Sequence, residues 1–461
     1  MAVDRRRLFA AFAGVAGGAM AAAPTLARAA QQTGPLPQAA SGSVIESVAL
    51  GLRPNAAEDQ TKALQHAIDY AAATRAVLQL TPGRYRTGEL KLPPHAAIAG
   101  VAGATHITLA VGASLISASG GEYVRLSGLI LDGAEISLPP QRGLIHVAHV
   151  QSLRIVDCEI VNCGGNGITL EAAQGEVSGN TISAADAAIF SLDAQALKIS
   201  GNHVRSAGNN GILVWRSAPG DDGTQVVDNR IENIANKAGG SGQYGNAVNV
   251  FRADNVIVRG NRIGNAAFSA VRGNTASNLQ IVGNTCTALG EVALYAEYGF
   301  EGALIANNVV DGAALGIAVT NFNRGGRLAV VQGNLIRNVV AQRPAGTDPN
   351  DPSGIGIGVE ADTAVSGNVI ENATHAGIAA GWGPYLRDVA ISANIVRGAD
   401  YGIAVSVAPG AGTGVIADNL ISGARRGAIV GMEWHKPVTG DLATDGAARY
   451  AQLSISGNRV R

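Results

Sequence analysis

The sequence predicts an all-β solenoid, a parallel β-helix whose N-terminal end is covered by an amphipathic helix. Three observations predict this fold class: a hexapeptide recurs along most of the chain, a second β-rich element follows it at a steady distance, and a helical segment precedes the first repeat. Self-similarity with a period of about 20 to 50 residues is the sequence signature of stacked repeat units.

The recurring hexapeptide has an aliphatic residue first, Asn fourth and an aliphatic residue or Cys last, as in "VRGNRI", "IVGNTC" and "VSGNVI". Successive Asn residues are 22 to 39 positions apart. Asn carries both a donor and an acceptor, so a stacked column of Asn can form hydrogen bonds along the axis. Asn also tolerates the left-handed conformation of a sharp corner. We interpret this set as architectural: Asn180, Asn202, Asn229, Asn261, Asn284, Asn308, Asn334, Asn368, Asn394, Asn419 and Asn458.

The second element reads "GILV", "ALYA" or "GIAV" and begins 8 or 9 residues after the Asn in most repeats. Ile and Val alternate within it with a period of two, which is typical of short strands. The 3.6-residue periodicity of a helical solenoid is absent. Two or three strands in each repeat therefore predict a parallel β-helix.

Residues 57–73 place Leu64, Ala67, Ile68 and Ala71 on one helical face. An amphipathic helix of this kind can cover the unpaired strand edges at the end of a solenoid. We predict an N-terminal cap with the first coils over 44–110 and regular β-helix repeats over 111–461.

The N-terminus has the pattern of an export signal. Arg5 and Arg6 precede an Ala- and Gly-rich stretch and an A-x-A site at Ala27–Ala29, which predicts a twin-arginine signal over 1–29 and a linker over 30–43. The protein would then pass through the twin-arginine translocation machinery and be periplasmic or secreted. No other stretch predicts a stable membrane span. A net charge of −1 argues against nucleic acid as a partner.

The segment "DQTKALQHAID…LTPGRYRTGELKLPPHAAIAG" resembles the N-terminal cap of pectate-lyase-like right-handed parallel β-helix proteins. The resemblance covers roughly residues 44 to 461 and implies a right-handed β-helix. Together with the twin-arginine signal, it is similar to a twin-arginine-exported β-helix repeat family of unassigned activity. The polygalacturonase set "NTD…DD…GHG…RIK" and the "DPHE" of alginate epimerases are absent. One fold hosts many chemistries, so the resemblance leaves the activity open.

Stacking of the second elements predicts two files of outward-facing side chains. The middle of this surface combines polar, aromatic and charged residues, and aromatic rings are common platforms for sugars. Two insertions, 236–245 and 341–354, are predicted to rise beside it like the walls of a groove; the alternative is that they are ordinary surface loops. The predicted catalytic residues are Arg272, Tyr295 and Glu297, and the predicted substrate-binding residues are Trp215, Asn249, Phe251, Asn274, Glu360 and Trp382.

The predicted function is binding and processing of an extracytoplasmic polysaccharide. In a lyase or epimerase, Arg272 would neutralise a uronate carboxylate and Tyr295 would remove the neighbouring proton. In a hydrolase, Glu297 and Glu360 would be the two carboxyls, about 9 to 10 Å apart across two coils. Two alternatives stay open: a surface salt bridge between Arg272 and Glu297, and a non-catalytic carbohydrate-binding or structural envelope protein.

No cofactor or metal signature is evident, and calcium stays possible without support. His146 and His149 have the spacing H-x-x-H in a strand-like stretch, which points them to opposite faces and away from a shared metal.

Overall fold

The structure is a computed structural model that describes residues 43–345, 347 and 352–461. The predicted export signal, 1–29, and the predicted linker up to residue 42 lie outside the described residues. In the described part of the chain, no helix is both long and apolar enough to cross a membrane.

The predicted amphipathic cap is present. It begins with a strand, Val44–Glu46, and a 3-10 turn, Ser47–Leu50, and continues with the α-helix Thr61–Ala73. The apolar side chains of the helix, Leu64 and Ile68 among them, are buried in the same core as the first strands. The carboxylate of Asp59 accepts a hydrogen bond from the backbone N–H of Thr61. The bonds to Thr61 hold the pKa of Asp59 below its ordinary value.

The remaining chain winds into a right-handed parallel β-helix with three faces. The first face is one continuous sheet of 16 parallel strands. Its side chains alternate between the core and the outside, as the period of two requires. The strands are Val44–Glu46, Val77–Gln79, Ala96–Ala99, Tyr123–Ser127, Ser152–Val156, Gly175–Ser178, Lys198–Ser200, Gln225–Val227, Ile257–Arg259, Leu279–Val282, Glu301–Ala306, Arg327–Gln332, Ala361–Ser366, Arg387–Ser392, Gly414–Ala417 and Leu453–Ser456.

The second face follows the first after each asparagine corner. Its separate strands are Ile130–Asp132, Glu159–Val161, Thr181–Ile182, His203–Val204, Arg230–Ile234, Arg262–Ala266, Thr285–Leu289, Val309–Ala313, Leu335–Val339 and Arg459–Val460. Five long strands run on from the second face into the third: Gly83–Leu92, Thr105–Ser119, Val369–Ala380, Ile395–Ser406 and Leu420–Glu433.

The third face carries the predicted site. Its strands are Gly143–Ala148, Asn166–Glu171, Ala185–Leu192, Ala207–Asp221, Asn246–Asp254, Val271–Asn274, Val292–Glu297, Leu315–Val319 and Ile355–Val359. Parallel pairing keeps each coil in register with the next, so side chains about two dozen residues apart lie one above the other.

The predicted asparagine ladder is complete. The Nδ2 group of Asn180 donates to Oδ1 of Asn202 at 2.9 Å, and the same bond repeats at 2.9–3.0 Å along the file to Asn458. Cys158 stands at the N-terminal end of this file, and its N–H donates to Oδ1 of Asn180. The ladder therefore satisfies buried polar groups through most of the solenoid.

One detail of that prediction is wrong: the ladder asparagines are not left-handed. The residue before each of them is, with φ near 67° at Gly260 and Gly283 and 57° at Asn307. The preceding residue therefore forms the corner. It is often Gly, which has no Cβ and adopts the left-handed conformation without a steric penalty. Asn can then direct its side chain into the core.

The last coil is covered by an antiparallel strand, Lys436–Asp441, and a short helix, Leu442–Asp445. The carboxylate of Asp441 accepts hydrogen bonds from the N–H groups of Ala428, Ile429 and Ala443. These backbone N–H groups at the end of the solenoid therefore have hydrogen-bond acceptors within the chain. Elsewhere in the structure, Cys158, Cys163 and Cys286 are free thiols.

Candidate functional site

The outer side of the third face carries two files of side chains, which we name the first and second outer files. In the first file, Asn249 pairs with Arg272, Arg272 with Tyr295 and Tyr295 with Ala318. In the second, Trp215 pairs with Phe251, Phe251 with Asn274 and Asn274 with Glu297. The register predicted for these residues is confirmed, whereas their function stays a prediction.

Arg272 is the centre of a buried polar cluster. Its Nε and Nη2 donate to the two oxygens of Glu297 at 2.7 and 3.0 Å, and its Nη1 lies 3.4 Å from Glu291. Asn274 also donates to Glu297, and the guanidinium lies over the ring of Tyr295. The arginine and both carboxylates are almost fully buried. The expected surface salt bridge between Arg272 and Glu297 exists, but it is buried rather than exposed.

Burial by itself would lower the pKa of Arg272. The charges of Glu297 and Glu291 outweigh this effect, so the pKa is held above its ordinary value. A buried pair of this kind is costly to break, because the partner that remains is an uncompensated buried charge. Arg272 is therefore a fixed cation whose guanidinium binds protein carboxylates.

Both predicted insertions reach this cluster. A Cβ atom at Gly242 would lie 1.9 Å from Nη1 of Arg272, so the first insertion lies directly on the guanidinium and needs glycine there. In the second insertion, Nη1 of Arg343 donates to Glu291 at 3.0 Å. The insertions were expected to wall an open groove. Instead, they cover its charged centre.

Glu291 and Arg343 were missed as members of this cluster. Glu291 comes directly before the strand Val292–Glu297, in a turn that a period-two pattern does not reach. Arg343 is a single cation inside an insertion. The only sequence signal for Glu291 is its position next to the strand that carries Glu297, and Arg343 has no such signal.

Aromatic side chains extend the surface on the N-terminal side of the cluster. The ring of Trp215 lies 5.5 Å from the rings of both Phe190 and Phe251, measured between centroids. Trp215 and Phe251 are half-buried, and Asn249 is buried beside them. Pairs at this separation stabilise each other beyond the area that they bury. The rings form a continuous, partly exposed platform.

A second aromatic cluster lies at the corner between the third and first faces, several coils further on. Trp434 is 46% exposed, and its ring centroid is 5.7 Å from that of Trp382 and 6.4 Å from that of Tyr385. A Cβ at Gly383 would lie 2.5 Å from the indole of Trp434, so the close approach requires glycine. The left-handed φ of Trp434, 58°, holds the exposed ring there.

Glu360 does not join the central cluster. It is buried, and its Oε2 accepts the backbone N–H of Phe322 at 2.7 Å. The strand Ile355–Val359 before it is two coils beyond the strand that ends at Glu297. The predicted residues thus divide into an aromatic platform (Trp215 and Phe251 with Asn249), a central cluster (Arg272, Asn274, Tyr295 and Glu297) and a distal part (Glu360 and Trp382).

Comparisons with known proteins agree with the fold. Residues 110–231 match the family model described as the right-handed β-helix region, and the whole architecture places the chain among right-handed parallel β-helix proteins. A search of curated proteins gave no match. Membership of the twin-arginine-exported repeat family stays a prediction.

Several solved structures are similar. The pre-mature bacteriophage phi29 gene product 12 is 12% identical with a TM-score of 0.54, over 90% of this chain and 66% of that one. The A-module of the mannuronan C-5 epimerase AlgE4 from Azotobacter vinelandii is 17% identical over 71% of this chain and 97% of that one, with a TM-score of 0.47. DFA-IIIase from Arthrobacter chlorophenolicus A6, without its lid, is 14% identical over 84% of this chain and 99% of that one, with a TM-score of 0.48. At 12% identity, the similarity to the phage protein supports the fold alone.

Proposed function

We propose that the protein is exported by the twin-arginine route and binds a polysaccharide outside the cytoplasm, along the outer side of the third face. The observation that carries this proposal is the order of groups on one continuous surface. Partly exposed rings lie at both ends, and the polar cluster around Arg272 lies between them, buried beneath the two insertions. Flat apolar rings next to hydrogen-bonding groups suit sugars, which have apolar faces and polar edges.

Binding is favoured over a reaction that depends on Arg272. Each of its three guanidinium nitrogens lies against a carboxylate, and the insertion around Gly242 covers it. A uronate carboxylate would have to displace Glu297 or Glu291 from a buried pair. We therefore assign Arg272 to positioning: it fixes Glu297 and the ring of Tyr295 at the middle of the surface.

Processing of the bound chain is the second candidate function. Tyr295 is half-buried in the first outer file, between Arg272 and Ala318. Its phenol is thus placed next to the proposed path of the chain. As a lyase or epimerase base it would remove the proton beside a uronate carboxylate. A hydrolase would use carboxyls along the same face.

The test is a screen of the purified protein against uronate-containing and neutral polysaccharides. Unsaturated product with ultraviolet absorbance would establish elimination, and new reducing ends without it would establish hydrolysis. Binding without product would leave the binding function alone. Trp215→Ala and Trp434→Ala should each weaken binding, whereas Tyr70→Ala, which removes an exposed ring on the capping helix, should not. If no polysaccharide binds, the proposal is wrong.

A further inference from the structure

The outer side of the second face changes from polar to apolar partway along the solenoid. The residue after each ladder asparagine points outward, and in five successive coils it is polar: Thr181, His203, Arg230, Arg262 and Thr285. In the next five coils the same position is aliphatic, and we name these residues the apolar file: Val309, Leu335, Val369, Ile395 and Leu420. Because the fold accepts polar side chains at this position, the solenoid itself does not require the apolar ones.

The middle of the apolar file is exposed. Leu335, Val369 and Ile395 are each 38% exposed, whereas Val309 and Leu420 at the two ends are half-buried. Parallel pairing stacks the file in one line about 20 Å long, at about 4.8 Å per coil. Scattered apolar residues are normal on a protein surface, but a contiguous apolar patch marks a contact with another molecule.

A charged file runs beside the apolar one, two residues further along each strand. This second line has a neutral residue at each end and four charged residues between them: Thr287, Asp311, Arg337, Glu371, Arg397 and Ser422. The signs of the four charges alternate. Arg337 lies 2.8 Å from Asp311, and Arg397 lies 3.8 Å from Glu371. The four side chains are still between 29% and 65% exposed, so they are accessible to charges on another molecule.

The charged file is complementary to itself in reverse order. When a second copy is turned end for end, Asp311 of one copy faces Arg397 of the other. Arg337 likewise faces Glu371. Two-fold symmetry repeats each of these contacts, so all four charges of each copy face an opposite charge. Complementary charges of this kind specify which partner binds and in which register.

Only one direction of the two-fold axis achieves this match. An axis along the strands keeps each file opposite itself in reverse order, which also places Leu335 against Val369 of the second copy. An axis parallel to the solenoid would place every coil opposite itself. The charged file would then meet the apolar file, or each charge would meet its own copy, and both arrangements are unfavourable.

The size of the surface sets the strength of the contact. Five coils with five-residue strands such as Leu335–Val339 form a face of about 24 by 17 Å, or about 400 Å² in each copy. This area is at the small end of specific protein interfaces. We therefore expect reversible association with a Kd in the micromolar range.

We propose that the protein forms an antiparallel homodimer through the second face, over the coils from Val309 to Leu420. The occupant of the apolar file is thus a second copy of the chain. The inference does not depend on the proposed function, because the contact uses the second face and polysaccharide binding is assigned to the third.

Sedimentation equilibrium of the full chain between about 1 and 200 µM measures the dimer. Leu335→Lys should raise the Kd at least about tenfold, because it places a charge against Val369 of the second copy. The matched control is Val330→Lys, which changes a valine of the first face that is 37% exposed in the same coil. This control should dimerise like the wild type.

A charge exchange tests the antiparallel arrangement. Arg337→Glu alone brings like charges together twice in the dimer, and so does Glu371→Arg alone, so each variant should be monomeric at concentrations where the wild type is dimeric. An equimolar mixture of the two variants should form a heterodimer, because every facing pair then has opposite signs. Misfolding would not be repaired by mixing, and thermal melts check that each variant is folded.

Each other outcome overturns the inference. A wild type that is monomeric over the whole range has no such dimer. If Val330→Lys weakens the dimer as much as Leu335→Lys, or if Leu335→Lys has no effect, the contact lies elsewhere. If the mixture of Arg337→Glu and Glu371→Arg stays monomeric, the antiparallel arrangement is wrong. None of these measurements involves a polysaccharide, so they leave the proposed function to its own test.

Discussion

Replacing Asn284 by alanine removes one rung of the asparagine ladder, and the structure shows what is lost. The side chain takes part in four buried hydrogen bonds: its Oδ1 accepts from N and Nδ2 of Asn261, and its Nδ2 donates to Val258 O and to Asn308 Oδ1. A typical bond contributes about 1 kcal/mol, and a buried group left unpaired costs about 1 to 3 kcal/mol. We therefore expect Asn284→Ala to lower the free energy of unfolding by about 4 kcal/mol.

Urea denaturation followed by circular dichroism measures this loss, and hydrogen exchange at the Asn261 amide locates it, because that N–H bonds to Asn284. The control is Gln280→Ala, an exposed position in the strand just before this corner, which should change stability by less than about 0.5 kcal/mol. A loss below about 1 kcal/mol in Asn284→Ala, or an unchanged exchange rate at Asn261, would refute the reasoning that the ladder stabilises the solenoid.

Three further predictions follow from buried groups. Arg272→Ala should cost about 3 to 5 kcal/mol, since it leaves Glu297 as an unpaired buried charge, and in urea denaturation the exposed Arg397→Ala should cost almost nothing; equal losses would contradict a buried cluster. Burial raises the pKa of the Cys158 thiol to about 11 and that of the Cys286 thiol to about 12, so iodoacetamide should label these two buried thiols only after unfolding, and labelling of either in the folded protein would contradict this. Burial lowers the pKa of His375 below 6.5 in the folded protein. As the pH falls, the imidazole is therefore protonated first in the unfolded chain, so the free energy of unfolding decreases as the pH drops from 6.5 towards the folded pKa. His375→Asn should reduce the loss of unfolding free energy between about pH 7.5 and about pH 5.5, and an equal loss in both proteins would argue against it.

The register of the outer files could be predicted from the sequence because it depends on local periodicity alone. Once Asn261, Asn284 and Asn308 are aligned, the period of two places Arg272 above Tyr295 without any knowledge of the loops. The same reasoning found the capping helix, whose apolar face is set by its spacing.

The covering of the site could not be predicted in this way. Whether Arg272 is exposed depends on the path of the insertion around Gly242, and loop conformation leaves no periodic signal. The sequence relates His146 to His149 alone, through their spacing. Its neighbour Arg142 directly precedes the same strand and Glu89 lies on a strand two coils earlier, so the proximity of His146 to Glu89 appears only in three dimensions.

The central claim is that polysaccharide binds on the outer side of the third face, and tryptophan fluorescence tests it most directly. The chain has three tryptophans, and all of them lie on this face or at its corner: Trp215, Trp382 and Trp434. Titration with a polysaccharide that binds should give a saturable change in emission whose midpoint matches the Kd from calorimetry. Binding measured by calorimetry with no change in emission would place the ligand elsewhere and contradict the account.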